Sequence, residues 1–185
     1  MKVKGRHYKT IWMKDSDVYF IDQNSLPFRF RIKRSRHWRR TAKAIRHMQV
    51  RGAGAIGVAA GYAMAQAILG IKKGLFLESV LPAKQEIEDS RPTAQNLFYA
   101  TERVYSRARA SKDAKKTAVK EAGDIAREDA TNGKKIGEYG NRLIKDGSRI
   151  ETHCNAGWLA FSDHGSALSP VYRAHNSGKK VFVYV

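Results

Sequence analysis

An arginine stands directly before a run of small residues in the segment VRGAGAIGVAAGYAMA, residues 50–65. Gly52 and Gly54 allow the backbone to approach a bound group closely. The helix that begins there would present free N–H groups and a partial positive charge, and the planar guanidinium of Arg51 suits phosphate oxygens. This pattern indicates a phosphate-binding loop, although neither the Walker nor the dinucleotide spacing is present. The alternative is an Ala/Gly helix packed in the core behind a surface arginine.

A second arginine precedes another predicted helix. Arg91 lies immediately before Pro92 in DSRPTAQNL, and proline favours the first turn of a helix. Two arginines at two open helix N-termini could hold one phosphate from two sides. The alternative for Arg91 alone is a surface residue at the start of a helix.

A thiol and an amide follow a predicted strand in ETHCNAGWLA, residues 151–160. Ligands of open α/β sheets bind beyond the carboxyl ends of the strands, so Cys154 and Asn155 could contact a ligand there, and Cys154 could carry protons. The alternative is that Cys154 is a small buried residue at the end of a core strand. His153 alternates with Cys154 along that strand, so their side chains should face opposite sides.

The remaining candidate ligands carry weaker signals. The six histidines are scattered and Cys154 has no spaced partner, so no metal site is expected. Asp163 and His164 stand just before a predicted helix. They could face a substrate, but capping of that helix is the favoured interpretation.

Basic residues are concentrated in RFRIKRSRHWRRTAKAIR, residues 29–46, which holds nine lysines and arginines and no acid. The whole chain has 35 basic and 17 acidic residues, so its formal net charge is 35 − 17 = +18, enough to attract polyanions or anionic metabolites. The run could bind nucleic-acid phosphates while Phe30 or Trp38 stacks on bases. No nucleic-acid-binding motif accompanies the charge, so a solvated strand and helix face is the favoured interpretation.

The hydrophobic pattern predicts a mixed α/β chain. Residues 8–32 alternate in three short runs separated by turn residues, which is typical of three antiparallel strands. From Thr41 the period becomes helical. Helices are predicted over residues 41–48, 53–69, 76–90, 93–110 and 112–145, the last with a break near Gly133.

The pattern changes again after KDGSR. Residues 149–156 are predicted to form a buried strand, residues 166–179 a helix that Gly178 ends, and residues 181–185 a second buried strand. This order is the β-α-β beginning of a parallel α/β domain. Because two strands make an incomplete parallel sheet, we expect the chain to be truncated relative to its natural domain.

Length and composition favour a soluble, cytoplasmic protein. A chain of 185 residues suffices for one domain, or for one small domain and part of another. The longest uncharged run, residues 52–71, is too rich in Gly and Ala for a membrane span, and the polar start MKVKGRHYK lacks a leader pattern. The single cysteine excludes an intramolecular disulfide.

Three segments together resemble one known family. VRGAGAIGVAAGYAMA resembles its signature VRGAPAIG, SRPTAQNLFYA resembles RPTAVNLFWA, and THCNAGWLA resembles THCNTGALA, in the same order and spacing. Further similarity at TIW, IDQNSLPF, AIRHM and IGEYGNRLIKDG extends the resemblance over nearly the whole chain. The family is that of the methylthioribose-1-phosphate isomerases. Its relatives are the ribose-1,5-bisphosphate isomerases and the regulatory subunits of a translation-initiation nucleotide exchange factor.

The resemblance implies a fold and an activity. The implied fold is a small domain of short strands and helices, here residues 1–125, followed by a linking helix and the first part of a Rossmann-like domain, here residues 126–185, in a homodimer. The implied reaction converts an aldose 1-phosphate into a ketose 1-phosphate in methionine salvage, without a cofactor. A non-catalytic sugar-phosphate sensor of the regulatory-subunit type, or a basic nucleic-acid-binding protein, is the alternative.

The resemblance also assigns roles to residues. Arg51, Arg91 and the backbone of Gly52, Ala53, Gly54 and Ala55 would hold the substrate phosphate, with Asn155 as a further contact, and Cys154 would move a proton between C1 and C2. The partner of Cys154 would be a family aspartate in the C-terminal half, after a DETRPR-like segment. We therefore expect this polypeptide alone to bind a phosphosugar without efficient turnover. Gly54 departs from the family pattern, which has proline there.

Overall fold

The computed structural model describes residues 2–71 and 76–185. It begins with a small hairpin of β1 (Lys2–Val3) and β2 (Arg6–His7). An antiparallel sheet follows, in the order β3 (Ile11–Lys14), β4 (Asp17–Ile21) and β5 (Ile32–Ser35). The three antiparallel strands predicted from the sequence are therefore confirmed, although β5 begins later than the run PFRFRI suggested.

The helices follow in a single block. α1 covers Trp38–Arg46, α2 Ala53–Leu69, α3 Phe76–Glu88, α4 Gln95–Arg109 and α5 Ala114–Asn141. After them come β6 (Ser148–Glu151), a short 3₁₀ helix (Trp158–Ala160), α6 (Ser169–Asn176) and β7 (Val181–Tyr184). β6 and β7 pair in parallel, so the mixed α/β fold class is confirmed.

The central element is α2, which contacts α1, α3, α4 and α5. Ten of its 17 residues are Ala or Gly, and it is buried from Gly54 to Ile68. A helix that is apolar on all sides packs inside a bundle, and small residues allow the surrounding helices to approach it closely. Its polar Gln66 is fully used, because it accepts from Thr41 Oγ1 at 2.7 Å and donates to the Ser16 and Ser35 carbonyls, each at 2.9 Å.

Two boundaries differ from the sequence prediction. α5 is one continuous helix of 28 residues, so the predicted break near Gly133 is wrong. β6 ends at Glu151 rather than at Ala156, so His153 and Cys154 do not alternate along a strand. α5 also crosses the domain boundary predicted between residues 125 and 126, and that division stays a prediction.

Candidate phosphate-binding site

Two helices begin side by side in the bundle. A methyl group built on Gly57 would lie 3.0 Å from Asn96 Cβ, and one on Gly61 would lie 3.8 Å from Ala100 Cβ. From the first contact to the second, the position advances by four residues on α2 and by four residues on α4, so the two helices run parallel. Their N-termini therefore lie next to each other.

Both helix starts present free backbone N–H groups. Gly52 is the N-cap of α2 and Ala94 the N-cap of α4, and neither start has a side-chain cap among the described residues. Each start carries roughly half a positive charge from the helix dipole. Two adjacent starts of this kind favour an anion in front of them.

Arg51 lies at the start of α2. Its side chain is exposed, and its Nε lies 3.4 Å from Oε1 of the buried Gln23. Gln23 Nε2 in turn lies 3.4 Å from the Arg51 carbonyl. Gln23 thus orients the arginine from two directions and leaves the outer edge of the guanidinium free for oxygen ligands.

Arg91 lies in the turn between α3 and α4. The helix begins only at Gln95, so Pro92 precedes the first turn instead of occupying it. Arg91 is half-buried, and its Nη1 is buried without a hydrogen-bond partner in the described part of the chain. A buried, unpartnered guanidinium nitrogen costs free energy, so Arg91 is not the surface arginine of the alternative interpretation. A bound anion would supply the missing acceptor.

The segment that follows the cysteine motif is fixed against the start of α2. Gln23 Nε2 donates to the Leu159 carbonyl at 2.7 Å, and Thr10 Oγ1 donates to the Trp158 carbonyl at 2.9 Å. A methyl group on Gly52, whose φ is +94°, would overlap Ala160, and one on Gly54 would overlap Phe161 and Asp129. These glycines therefore bring the segment of residues 157–162, called here the crossing segment, directly onto the helix N-terminus.

Cys154 and Asn155 lie between β6 and the crossing segment. Both are exposed, which rules out the interpretation of Cys154 as a buried core residue. Cys154 has a φ of +67°, in the left-handed region that few side chains adopt. Two residues earlier, the buried Thr152 Oγ1 has no hydrogen-bond partner within residues 2–71 and 76–185. An approach of the Cys154 thiol to both arginines stays a prediction.

The other predicted phosphate contacts belong to the first turn of α2. Ala53 is exposed and Ala55 is fully buried. Since an alanine side chain offers no hydrogen bond, only the backbone N–H groups of these residues could contact an anion.

Sequence reasoning missed Gln23 and Asp129. Asp129 Oδ2 accepts from Ser162 N at 2.6 Å and from Ser162 Oγ at 2.7 Å, so it fixes the end of the crossing segment. Burial raises the pKa of Asp129, and the nearby charge of Asp163 raises it further. The two hydrogen bonds from Ser162 lower this pKa but do not cancel the increase. The partners of Gln23 and Asp129 are remote in sequence, and the similarity at IDQNSLPF was the available signal for Gln23.

Asp163 and His164 do not cap α6, so that prediction is wrong. The helix begins at Ser169 with Leu168 as its N-cap. Instead, Asp163 Oδ2 lies 2.8 Å from His7 Nε2, and Asp163 Oδ1 accepts from the His164 backbone N–H at 2.9 Å. His164 lines a cavity of about 580 Å³ whose walls come from the first hairpin, α5 and α6. Neither Arg51, Arg91 nor Cys154 lines this cavity.

Within residues 2–71 and 76–185, no group of three or more His, Cys, Asp or Glu side chains is placed to hold a metal ion. None of the described helices has the length and apolar character needed to cross a membrane.

Comparison with known proteins identifies similar chains. The model of the initiation factor 2 subunit family matches residues 49–185. Methylthioribose-1-phosphate isomerase from Methylobacterium nodulans is 43% identical, over 100% of this chain and 53% of its own length. The solved 5-methylthioribose 1-phosphate isomerase from Pyrococcus horikoshii has a TM-score of 0.86 at 34% identity, covering 94% of this chain and 51% of that one.

A second solved structure has a different role. The delta subunit of translation initiation factor eIF-2B from A. fulgidus has a TM-score of 0.83 at 35% identity, covering 96% of this chain and 54% of that one. This chain spans about half the length of the curated relatives it matches. The family model matches most of the chain, and the isomerase relatives align with all of it, which confirms the resemblance carried by the three motifs. The chain belongs to the initiation factor 2 subunit family.

Proposed function

We propose that this chain forms the phosphate-binding half of an aldose–ketose isomerase that converts 5-methylthioribose 1-phosphate into 5-methylthioribulose 1-phosphate in methionine salvage. The proposal includes a cytoplasmic homodimer, with residues 126–185 as the beginning of a Rossmann-like domain. The sequence relatives at about 40% identity carry the name of this isomerase, and a pentose 1-phosphate supplies the dianion that the paired helix starts favour.

The observation that carries the proposal is the buried Arg91 Nη1, which has no hydrogen-bond partner among the described residues. A guanidinium is always charged, and an unsatisfied charged donor is costly unless a ligand completes it. A phosphate oxygen would supply the missing acceptor, and the uncapped starts of α2 and α4 would supply N–H donors to the same group. Arg51, which is exposed at the start of α2, would bind a second oxygen.

The proposed proton transfer uses residues other than those that bind the phosphate. Cys154 would move a proton between C1 and C2 of the sugar, and Asn155 would contact the substrate beside it. The exposed position of Cys154 and its left-handed backbone support this role, because unusual backbone conformations cluster at functional sites.

The competing function is a sugar-phosphate sensor without catalysis. The similarity to an initiation-factor delta subunit supports this alternative. Both functions need the phosphate site, but only the isomerase needs the thiol. Cys154 therefore distinguishes them.

The phosphate site can be tested by thermal unfolding at constant ionic strength. We expect 5-methylthioribose 1-phosphate at ten times its Kd to stabilise the chain by about 1.4 kcal/mol, with a smaller effect of inorganic phosphate. Arg91→Met should abolish this response, whereas Arg109→Met, at an exposed position near the end of α4, should keep it. Equal stabilisation of all three proteins would refute the site.

The position of the thiol can be tested by alkylation, because Cys154 is the single cysteine. The sugar phosphate should slow the reaction of Cys154 with iodoacetamide in the parent chain and in Arg109→Met, but not in Arg91→Met. If the ligand raises the melting temperature while the alkylation rate stays unchanged, the phosphate site stands and the catalytic role of Cys154 fails.

A further inference from the structure

The basic run of residues 29–46 extends through the loop before β5, β5 itself and α1, and its exposed side is called here the basic face. Three of its nine cations pair with carboxylates of neighbouring elements. These pairs are Lys33 with Asp22, Arg34 with Asp17 and Arg39 with Glu86. In the described part of the chain, the other six are without an acidic partner: Arg29, Arg31, Arg36, Arg40, Lys43 and Arg46.

A groove of about 240 Å³ crosses this face between the sheet and α1. Lys33 and Arg34 line one side of it, and Arg40 and Lys43 line the other. Two of these cations are neutralised and two are not, so the groove has a net positive charge. A polyanion laid along it would release counterions.

Aromatic side chains lie beside the cations. Phe28 is 92% exposed and Phe30 is 36% exposed, and they alternate with Arg29 and Arg31 in the loop that leads to β5. Phe30 is held edge-on against Tyr8, with ring centroids 5.0 Å apart. Burial of an exposed phenyl ring against a partner would be favourable.

Trp38 does not take part in this surface. It is 8% exposed, and the Arg39 guanidinium covers its ring at 4.2 Å from the ring centroid. The prediction that Trp38 could stack on bases is therefore wrong, because the ring belongs to the core under α1. Phe28 and Phe30 are the exposed aromatic side chains beside these cations.

We propose that the basic face binds single-stranded nucleic acid, with phosphates on its unpaired cations and bases stacked on Phe28 and Phe30. An alternation of cations and aromatic rings fits a strand whose bases are exposed. A duplex keeps its base faces internal, so it would not stack on Phe28, and the Asp and Glu side chains of an acidic peptide carry no aromatic ring for stacking. This surface shares no residue with the proposed phosphate site.

The test is fluorescence anisotropy with a labelled mixed-sequence RNA of roughly 20 nucleotides, together with DNA of the same sequence as single strand and as duplex. We expect both single strands to bind more tightly than the duplex. Phe28→Ala, which alters an exposed side chain, should weaken the binding of single strands at least about five-fold through lost stacking and leave duplex binding unchanged.

A charge-matched pair of variants tests the location. One variant removes four cations of the basic face: Arg29→Gln, Arg31→Gln, Arg40→Gln and Lys43→Gln. The control removes four exposed cations of α4, α5 and the turn between them: Arg107→Gln, Arg109→Gln, Lys112→Gln and Lys115→Gln. Only the first should weaken RNA binding strongly and reduce the slope of log Kd against log salt by about 3.

Three outcomes would overturn the proposal. The two charge variants could bind RNA equally, which would show that net charge alone is responsible. Duplex could bind as tightly as single strands, with no effect of Phe28→Ala. Polyglutamate could compete as well as unlabelled RNA at equal charge concentration, which would identify the face as a binding site for acidic proteins.

Discussion

Glycines create two close contacts between the helical bundle and the C-terminal part of the chain, and the two contacts differ in kind. At the start of α2, Gly52 and Gly54 lie against Ala160 and Phe161. Along α5, Gly133, Gly137 and Gly140 lie against residues 163–170. In both places a Cβ atom would overlap the facing segment.

The difference lies in what surrounds each contact. The α5 contact is satisfied, because the Gly133 carbonyl accepts from Ser169 Oγ at 2.7 Å, and it lies in the body of a helix. The α2 contact lies at an uncapped helix start, beside Arg51 and near the turn that holds the unpartnered Arg91 Nη1. The same small residues thus serve packing alone in one place, and packing beside an uncapped helix start with an exposed arginine in the other.

The largest expected effect comes from Gly52→Ala. The new methyl group would overlap the backbone and side chain of Ala160, and the φ of +94° is unfavourable for alanine. We expect the free energy of unfolding to fall by about 3 kcal/mol or more, with loss of the sugar-phosphate response, as measured by denaturant unfolding.

Gly178→Ala is the matched control for Gly52. Gly178 has a φ of +91° and nothing within 4 Å of a built Cβ, so it should lose only the backbone contribution, about 1–2 kcal/mol. If both variants lose the same stability, the crossing segment does not press on α2.

A smaller effect is expected from Gly133→Ala in α5. The methyl group would lie 2.5 Å from the Gly165 carbonyl oxygen, and the steric cost should exceed the gain in helix propensity, leaving a loss of about 2 kcal/mol. Because neither arginine takes part in this contact, the stabilisation by sugar phosphate should persist.

Gly123→Ala is the control on the same helix. A methyl group there would meet only the flexible end of Arg127, at 3.3 Å. We expect this variant to be more stable than the parent by about 0.5–1 kcal/mol. A loss of phosphate response in Gly133→Ala, with normal stability, would contradict the division into a structural and a functional contact.

The two arginines should also differ when no ligand is present. Arg91→Met keeps most of the aliphatic chain and removes a buried donor without a partner, so the ligand-free protein should gain up to about 1 kcal/mol. Arg51→Met removes the donor to Oε1 of the buried Gln23, so the ligand-free protein should lose up to about 1 kcal/mol. Both should lose phosphate binding, and unfolding with and without ligand separates the two effects. A large loss of stability in Arg91→Met would show that Arg91 has a structural partner.

Elements could be predicted from the sequence where the residues that determine them lie within one short segment. The small residues of α2 and the cations before two helices were recognisable because the pattern lies within one segment. The continuation of α5 through Gly133 was not recognisable, because glycine is a poor helix former. Glycine is needed at this position because residues 163–170 pack against the helix there. Gln23 was missed for a similar reason, since its acceptor on Leu159 is 136 positions away.

The smallest expected effect concerns Asp129, which fixes the crossing segment at the functional contact. Burial raises the pKa of Asp129 above its ordinary value of 3.8, so the folded state binds this proton more tightly than the unfolded state. The stabilising contribution is therefore present below the ordinary pKa and is lost as the pH rises through the raised pKa. Asp129→Asn cannot ionise, and its amide oxygen can still accept from Ser162.

The stability of Asp129→Asn relative to the parent should consequently increase between about pH 4 and pH 7. Denaturant unfolding of both proteins across this range measures the difference, and titrations common to both cancel. Asp113→Asn is the control, because Asp113 is exposed and caps the start of α5 by accepting from Lys116 N at 3.0 Å; it should not reproduce the increase. A relative stability of Asp129→Asn that falls with pH would mean that the Ser162 hydrogen bonds outweigh burial, and that the carboxylate holds the crossing segment in its charged form.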